Sequence, residues 1–223
     1  MTEGGDDRGV AGSRDPNRVR AVYDEIAEQF AKTRAYPWPE VGTFLDDCAG
    51  GAVGLDIGCG NGRHSALLAA TADTVLALDV SRELLTETRE RMVRDGWHAE
   101  LVGGDAAALP VAAEAVDVAV YVATLHHLPD RESRIRSLSE IARVLAGDGR
   151  ALVSAWSTEH DRFDEHEEGF DTTVEWTLPG GGTVDRFYHI YAPEEFEADL
   201  ERSDLSLVET YVSSGNCYAE VCG

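Results

Sequence analysis

Eleven residues, Val53-Gly-Leu-Asp-Ile-Gly-Cys-Gly-Asn-Gly-Arg63, constrain this chain more than any other stretch. The alternating apolar residues Val53, Leu55 and Ile57 read as a buried strand that breaks at Gly58, Gly60 and Gly62. Ala66, Leu67 and Ala70 then recur at helical spacing. Closely spaced glycines between a strand and a helix let the backbone turn sharply and let a bulky ligand approach it. The next strand-like run, Thr74 to Leu78, ends at Asp79, 21 residues past Gly58. A carboxylate so placed, at a strand end, can accept hydrogen bonds from ribose hydroxyls.

A dinucleotide and a methyl donor both fit such a turn. The spacing is Gly-x-Gly-x-Gly rather than Gly-x-Gly-x-x-Gly, and Asp56 sits two positions before the first glycine. A carboxylate there would repel a pyrophosphate and attract a cationic sulfonium or an α-amino group. The stretch resembles the first motif, Asp-x-Gly-x-Gly-x-Gly, of the class I S-adenosylmethionine methyltransferases. That resemblance implies an α/β fold with a doubly wound, seven-stranded, mostly parallel sheet and an antiparallel C-terminal strand. It also implies donor contacts from Asp56, Gly58, Gly60, Asn61, Gly62, Asp79, Val80, Asp105, Ala106 and Val122.

At 223 residues the chain is long enough for one α/β domain and short for two. No run approaches the roughly 18 apolar residues of a membrane helix, and Cys48, Cys59, Cys217 and Cys222 form no Cys-x-x-Cys pair. A cytoplasmic protein with reduced cysteines and no metal site is expected. The 42 acidic residues outnumber the 19 basic ones, Lys32 is the only lysine, and the net charge is -23. The acids are spread along the chain, which suits a high-salt cytoplasm where salt screens their repulsion.

Residues 1–14 carry no apolar pattern and are expected to be a disordered tail, leaving 15–223 as one domain. Asp15-Pro16 reads as an N-cap with proline in the first turn, opening a helix whose apolar face carries Val19, Val22, Tyr23, Ile26 and Phe30. Tyr23, Arg34 and Tyr36 could each reach a ligand. A second helix is expected at 40–48, and then strands and helices alternate: strand 53–57, helix 62–70, strand 74–79, helix 81–94 capped by Ser81, strand 99–103, strand 116–122, helix 131–146 and strand 150–156. Asp105 follows the third strand, and His126-His127 follow the fourth, whose carboxyl end faces the ligand crevice of such sheets. Residues 158–182 are polar and acidic and end in three glycines, an expected insertion over the site reaching to about 186. A strand at 184–192, a helix from Pro193 and an antiparallel pair at 206–212 and 216–221 complete the expectation.

Further segments are narrower. Val22-Tyr-Asp-Glu-Ile-Ala, Thr33-Arg34, Pro37-Trp38-Pro39, Leu125-His126-His127, Ala155-Trp156, Arg186-Phe-Tyr-His189 and Gly215-Asn216 together resemble the tRNA methyltransferases that esterify 5-carboxymethyluridine at the wobble position. These occur as a free eukaryotic enzyme and as a domain of an AlkB homologue. The resemblance implies a tRNA substrate, S-adenosylmethionine as cofactor, and a small zinc-binding activator protein pairing with the strand near Ala99 to Gly103.

The chemistry fits. A carboxylate nucleophile is already ionised at neutral pH and needs no strong base, but it needs cationic donors to place one oxygen. Arg186 suits that by its planar fork, with His189, His126, Arg34 and Tyr23 as further candidates around it. A small-molecule O-methyltransferase acting on an anionic metabolite or quinone is the alternative, and a non-catalytic scaffold of the same fold is a third reading.

Overall fold

The computed structural model describes residues 14–48, 51–163 and 165–223, so the tail expected over 1–14 lies outside the described residues except for Arg14. Helix α1, Pro16–Thr33, starts as its sequence dictates: Asp15 caps it by accepting from the Asn17 N–H at 2.9 Å. After α2 (Pro39–Asp46) the alternation runs β1 (Gly51–Ile57), α3 (Ser65–Leu68), β2 (Ala72–Asp79), α4 (Arg82–Asp95), β3 (Glu100–Gly103) and β4 (Val116–Val122). A 3-10 turn at Leu125–His127 leads to α5 (Arg131–Val144) and β5 (Leu145–Trp156). Then follow β6 (Phe170–Thr177), β7 (Thr183–Ile190), α6 (Pro193–Glu201), β8 (Ser206–Ser213) and β9 (Asn216–Cys222).

The main sheet has seven strands in the order β3-β2-β1-β4-β5-β9-β8. The first five are parallel, and β9 pairs antiparallel with both β5 and β8. Alternation within each central strand fills two cores: Ala119 and Tyr121 of β4 pack with Leu138 and Ile141 of α5 on one face, while Val118 and Val120 pack with Phe44 and Leu68 on the other. The doubly wound, seven-stranded expectation holds, with antiparallel strands at the C-terminal end.

Three expectations need correction. The helix expected at 62–70 is a single turn, Ser65–Leu68, because Gly60 and Gly62 hold left-handed backbone that no helix can include. The helix expected to run to 146 ends at Val144, and β5 begins at once, earlier than position 150. The stretch expected as an insertion over 158–182 contains β6, which pairs antiparallel with β7 in a separate two-stranded sheet. Residues 183–190 therefore do not extend the main sheet; they carry side chains over its carboxyl edge.

Candidate active site

Above the carboxyl ends of β1, β2, β3 and β4 lies a cavity of about 610 Å³. Its floor is the glycine turn. Gly58 and Gly60 both hold positive φ, 71° and 56°, and the Gly58 and Cys59 amides donate to the Leu78 carbonyl, tying the turn to β2. Asp79 ends β2 with its carboxylate 6% exposed, accepting from the Gly60 amide at 2.9 Å and the Ser81 amide at 2.8 Å. Burial outweighs these bonds and pushes its carboxyl up to about 6. Val80, Asp105 and Ala106 line the same end of the cavity.

Four of the expected donor contacts do not reach the cavity. Asp56 is buried behind the turn, where Ser65 Oγ donates to it at 2.5 Å, and burial pushes it up to about 7. Asn61 gives its amide to the Ala31 and Arg34 carbonyls, fastening the turn to the end of α1. Gly62 packs where a Cβ would meet Thr88 at 2.8 Å, and Val122 is buried in the core. None of the four lines the cavity.

The rest of the lining is basic and aromatic. Arg34, Arg63, Arg136 and Arg186 belong to it, and none forms an ion pair with a described residue. Arg186 is 7% exposed, its guanidinium 4.8 Å from the Trp176 ring centre and 5.2 Å from that of Tyr188, with Nε unpartnered. Arg34 lies over Phe30 and Trp176, and Arg63 over Trp38. Arg34 already donates to the Thr33 carbonyl and hydroxyl oxygens, whereas Arg186, held against aromatic faces with no carboxylate paired to it, keeps its hydrogen bonds for a ligand.

His126, His127 and Tyr23 complete this lining. His189 does not. Strand alternation puts Arg186 and Tyr188 on one face and His189 on the other, where its ring bridges Asp171 at 2.6 Å and Glu195 at 3.2 Å beside a second, smaller cavity. Its expected catalytic place is withdrawn on that ground.

Sequence reading missed Arg63 and Trp176. Arg63 directly follows the last glycine, a position that could have drawn notice. Trp176 lay inside the stretch read as an insertion, although Val174 and Trp176 alternate as a strand should.

A family model described as a methyltransferase domain matches residues 55–153. The tRNA (carboxymethyluridine(34)-5-O)-methyltransferase of Schizosaccharomyces pombe is 31% identical over 218 residues, 86% of this chain and 90% of that protein. The tRNA (carboxymethyluridine(34)-5-O)-methyltransferase alkbh8 of Xenopus tropicalis is 36% identical over 144 residues, 64% of this chain and 22% of its own length, so the chain spans about a fifth of that relative. Among solved structures, a SAM-dependent methyltransferase of Methanosarcina mazei aligns with a TM-score of 0.65 and 20% identity, covering 83% of this chain and 97% of that one, which shows the shared fold.

Proposed function

We propose a function from one premise, that the chain belongs to the tRNA (carboxymethyluridine(34)-5-O)-methyltransferase family: it methylates the carboxylate of 5-carboxymethyluridine at the tRNA wobble position. S-adenosylmethionine is the donor, and it supplies an electrophilic sulfonium methyl that passes to a carboxylate oxygen as the carbon–sulfur bond breaks. The cavity suits that donor. Glycines floor it, Asp79 stands where ribose hydroxyls can donate, and Asp105 stands beyond, at the end of β3.

The observation that carries the acceptor is Arg186. In a chain of 42 acids, a guanidinium this buried has no described carboxylate to pair with. It is suited to take one from substrate. Held by its fork, a carboxylate presents one oxygen in line with the methyl, and placement supplies most of the acceleration. Trp156 stacks on Tyr188 with centroids 4.7 Å apart, giving a flat aromatic wall beside it. Esterification removes the negative charge, so product is held less tightly than substrate.

The same reading gives the chain two partners, tRNA and a small zinc-binding activator that adds a strand at β3. In support, β3 ends the sheet with β2 as its neighbour, and Leu101 and Val102 are half-buried there. A salt-rich cytoplasm is the proposed setting. One observation favours the alternative, a small anionic acceptor: the sole lysine, Lys32, is already paired with Glu28.

The test is transfer of labelled methyl to bulk tRNA in molar potassium chloride, with and without activator, followed by digestion to nucleosides. Label in a base-labile ester of 5-carboxymethyluridine is expected. Donor binding without any label in tRNA would move the assignment to the small-acceptor reaction.

A further inference from the structure

His126 and His127 are neighbours in sequence and on the cavity wall, yet their hydrogen bonds put their protons on different nitrogens. His127 Nδ1 lies 2.8 Å from the Phe187 carbonyl oxygen. A carbonyl can only accept, so Nδ1 carries the hydrogen. In the neutral ring Nε2 is then a lone pair, and the Tyr23 hydroxyl, 2.8 Å away, donates to it. His126 shows the reverse. Its Nδ1 lies 3.0 Å from the Trp156 backbone nitrogen, which can only donate, so the hydrogen of His126 sits on Nε2.

The surroundings hold both rings neutral. Burial pushes His127 down to about 3 and His126 well below the usual histidine range, with Arg186 adding repulsion at both and His127 adding it at His126. A protonated ring would place two donors face to face, His126 Nδ1–H against the Trp156 N–H. Burial raises the Tyr23 phenol well above its usual range, so it too stays neutral, with Tyr188 and Arg186 close enough to act on it.

These directions settle what each group can offer a substrate. Tyr23 has given away its only proton. Its oxygen faces the cavity as an acceptor, which suits the Arg186 guanidinium and repels a carboxylate. His126 keeps an N–H for the cavity it lines. We infer that His126 and Arg186 are the two donors that hold the substrate anion, and that His127 is a positioning residue that fixes Tyr23 as an acceptor on the same cavity lining as Arg186. The inference rests on the carboxylate-methylating function proposed above. It moves Tyr23 from the expected catalytic set to the supporting one.

Nitrogen-15 spectra of the histidines in the full chain test it without substrate. At neutral pH, His127 is expected as the Nδ1–H form and His126 as the Nε2–H form, neither titrating down to about pH 5. A His127 ring protonated on Nε2, or either ring titrating near 6.5, overturns the inference. Two variants then separate positioning from mere packing. H127N keeps the donor to Phe187 and loses the acceptor for Tyr23; H127Q keeps an acceptor at the far position. We expect H127N to lower kcat/KM on the order of 10- to 100-fold with donor affinity unchanged, and H127Q to recover most of it. Equal activity in the two variants overturns the positioning role. If the spectra come out as expected while no methyl reaches a carboxylate, the proposed function fails and the proton placement stands.

Discussion

The Arg186 guanidinium carbon lies 4.8 Å from the centre of the Trp176 ring, across the β6–β7 hairpin, where Arg186 faces Val174 and Trp176 is its diagonal neighbour. The register of the hairpin sets Trp176, Arg186 and Tyr188 on one face, and of these Arg186 and Tyr188 line the cavity while Trp176 backs the guanidinium.

That geometry makes lysine a poor replacement. A lysine keeps the charge and loses both the planar fork and the stacking. R186K should raise KM for the carboxylate acceptor and lower kcat/KM by about 10- to 100-fold, the scale of one charge-assisted hydrogen bond. Donor affinity by calorimetry should not change. A variant with wild-type kcat/KM would remove Arg186 from the site.

Gly58 and Gly60 should fail differently. A Cβ on Gly58 would lie 2.1 Å from Thr124 Oγ1 and 2.8 Å from Thr124 Cβ, so β1 and β4 would have to separate; one on Gly60 meets only Phe30, at 3.4 Å. Both carry the left-handed strain of roughly 1–2 kcal/mol. G58A should therefore lower Tm by on the order of 5 °C or more, and G60A by clearly less while still weakening donor binding. Melting curves of equal depth for both would show that the Thr124 contact does not matter.

Much of this was legible because it is local. The 2.0 and 3.6 residue periods, the Asp15 and Ser81 caps and the glycine spacing belong to neighbouring residues, and they gave the sheet and the end of the cavity near Asp79. The rest depends on partners far along the chain. Nothing around Asp56 reveals that Ser65 will satisfy it behind the turn, and nothing around Asn61 reveals the α1 carbonyls waiting for it. His189 was a different case: three positions from Arg186 on a strand, it had to face the other way, and the alternation needed only to be counted. Arg63 and Trp176 come from separate elements, and only the fold brings Arg63 to the cavity lining and sets Trp176 against Arg186.

Asp79 gives a pH prediction with a definite sign. Its carboxyl sits at about 6 in the free protein, and hydroxyl donors bind the ionised form. Donor binding favours the charged state and lowers the pKa, so affinity is full above about 6 and falls as pH drops through it, by up to tenfold per unit. The histidines on the wall do not titrate in that window, since both are held far lower. Asp56, buried behind the turn and pushed up to about 7, ionises in the same range, so calorimetry from about pH 5 to 8 should show the fall in the wild type and a clearly shallower one, on weaker binding, in D79N. A flat wild-type profile would mean that Asp79 does not touch the donor.

Salt should stabilise the fold, and magnitudes decide the sign. Screening weakens the ion pairs among the described residues, such as Lys32–Glu28 and Arg94–Asp95, but exposed pairs of this kind contribute only about 0–1 kcal/mol each. It also weakens repulsion within a chain carrying 42 acids against 19 bases. At 0.1 M salt the screening length is about 10 Å, long enough for each carboxylate to feel several others; at 1 M it is about 3 Å, and that repulsion is gone. The second effect acts over the whole molecule, and it outweighs the first. Tm should rise by about 5–10 °C between 0.1 M and 2 M potassium chloride, with most of the rise complete near 1 M. A Tm that is level or falls over that range would show that local pairs outweigh net repulsion, and would overturn the proposed salt-rich setting.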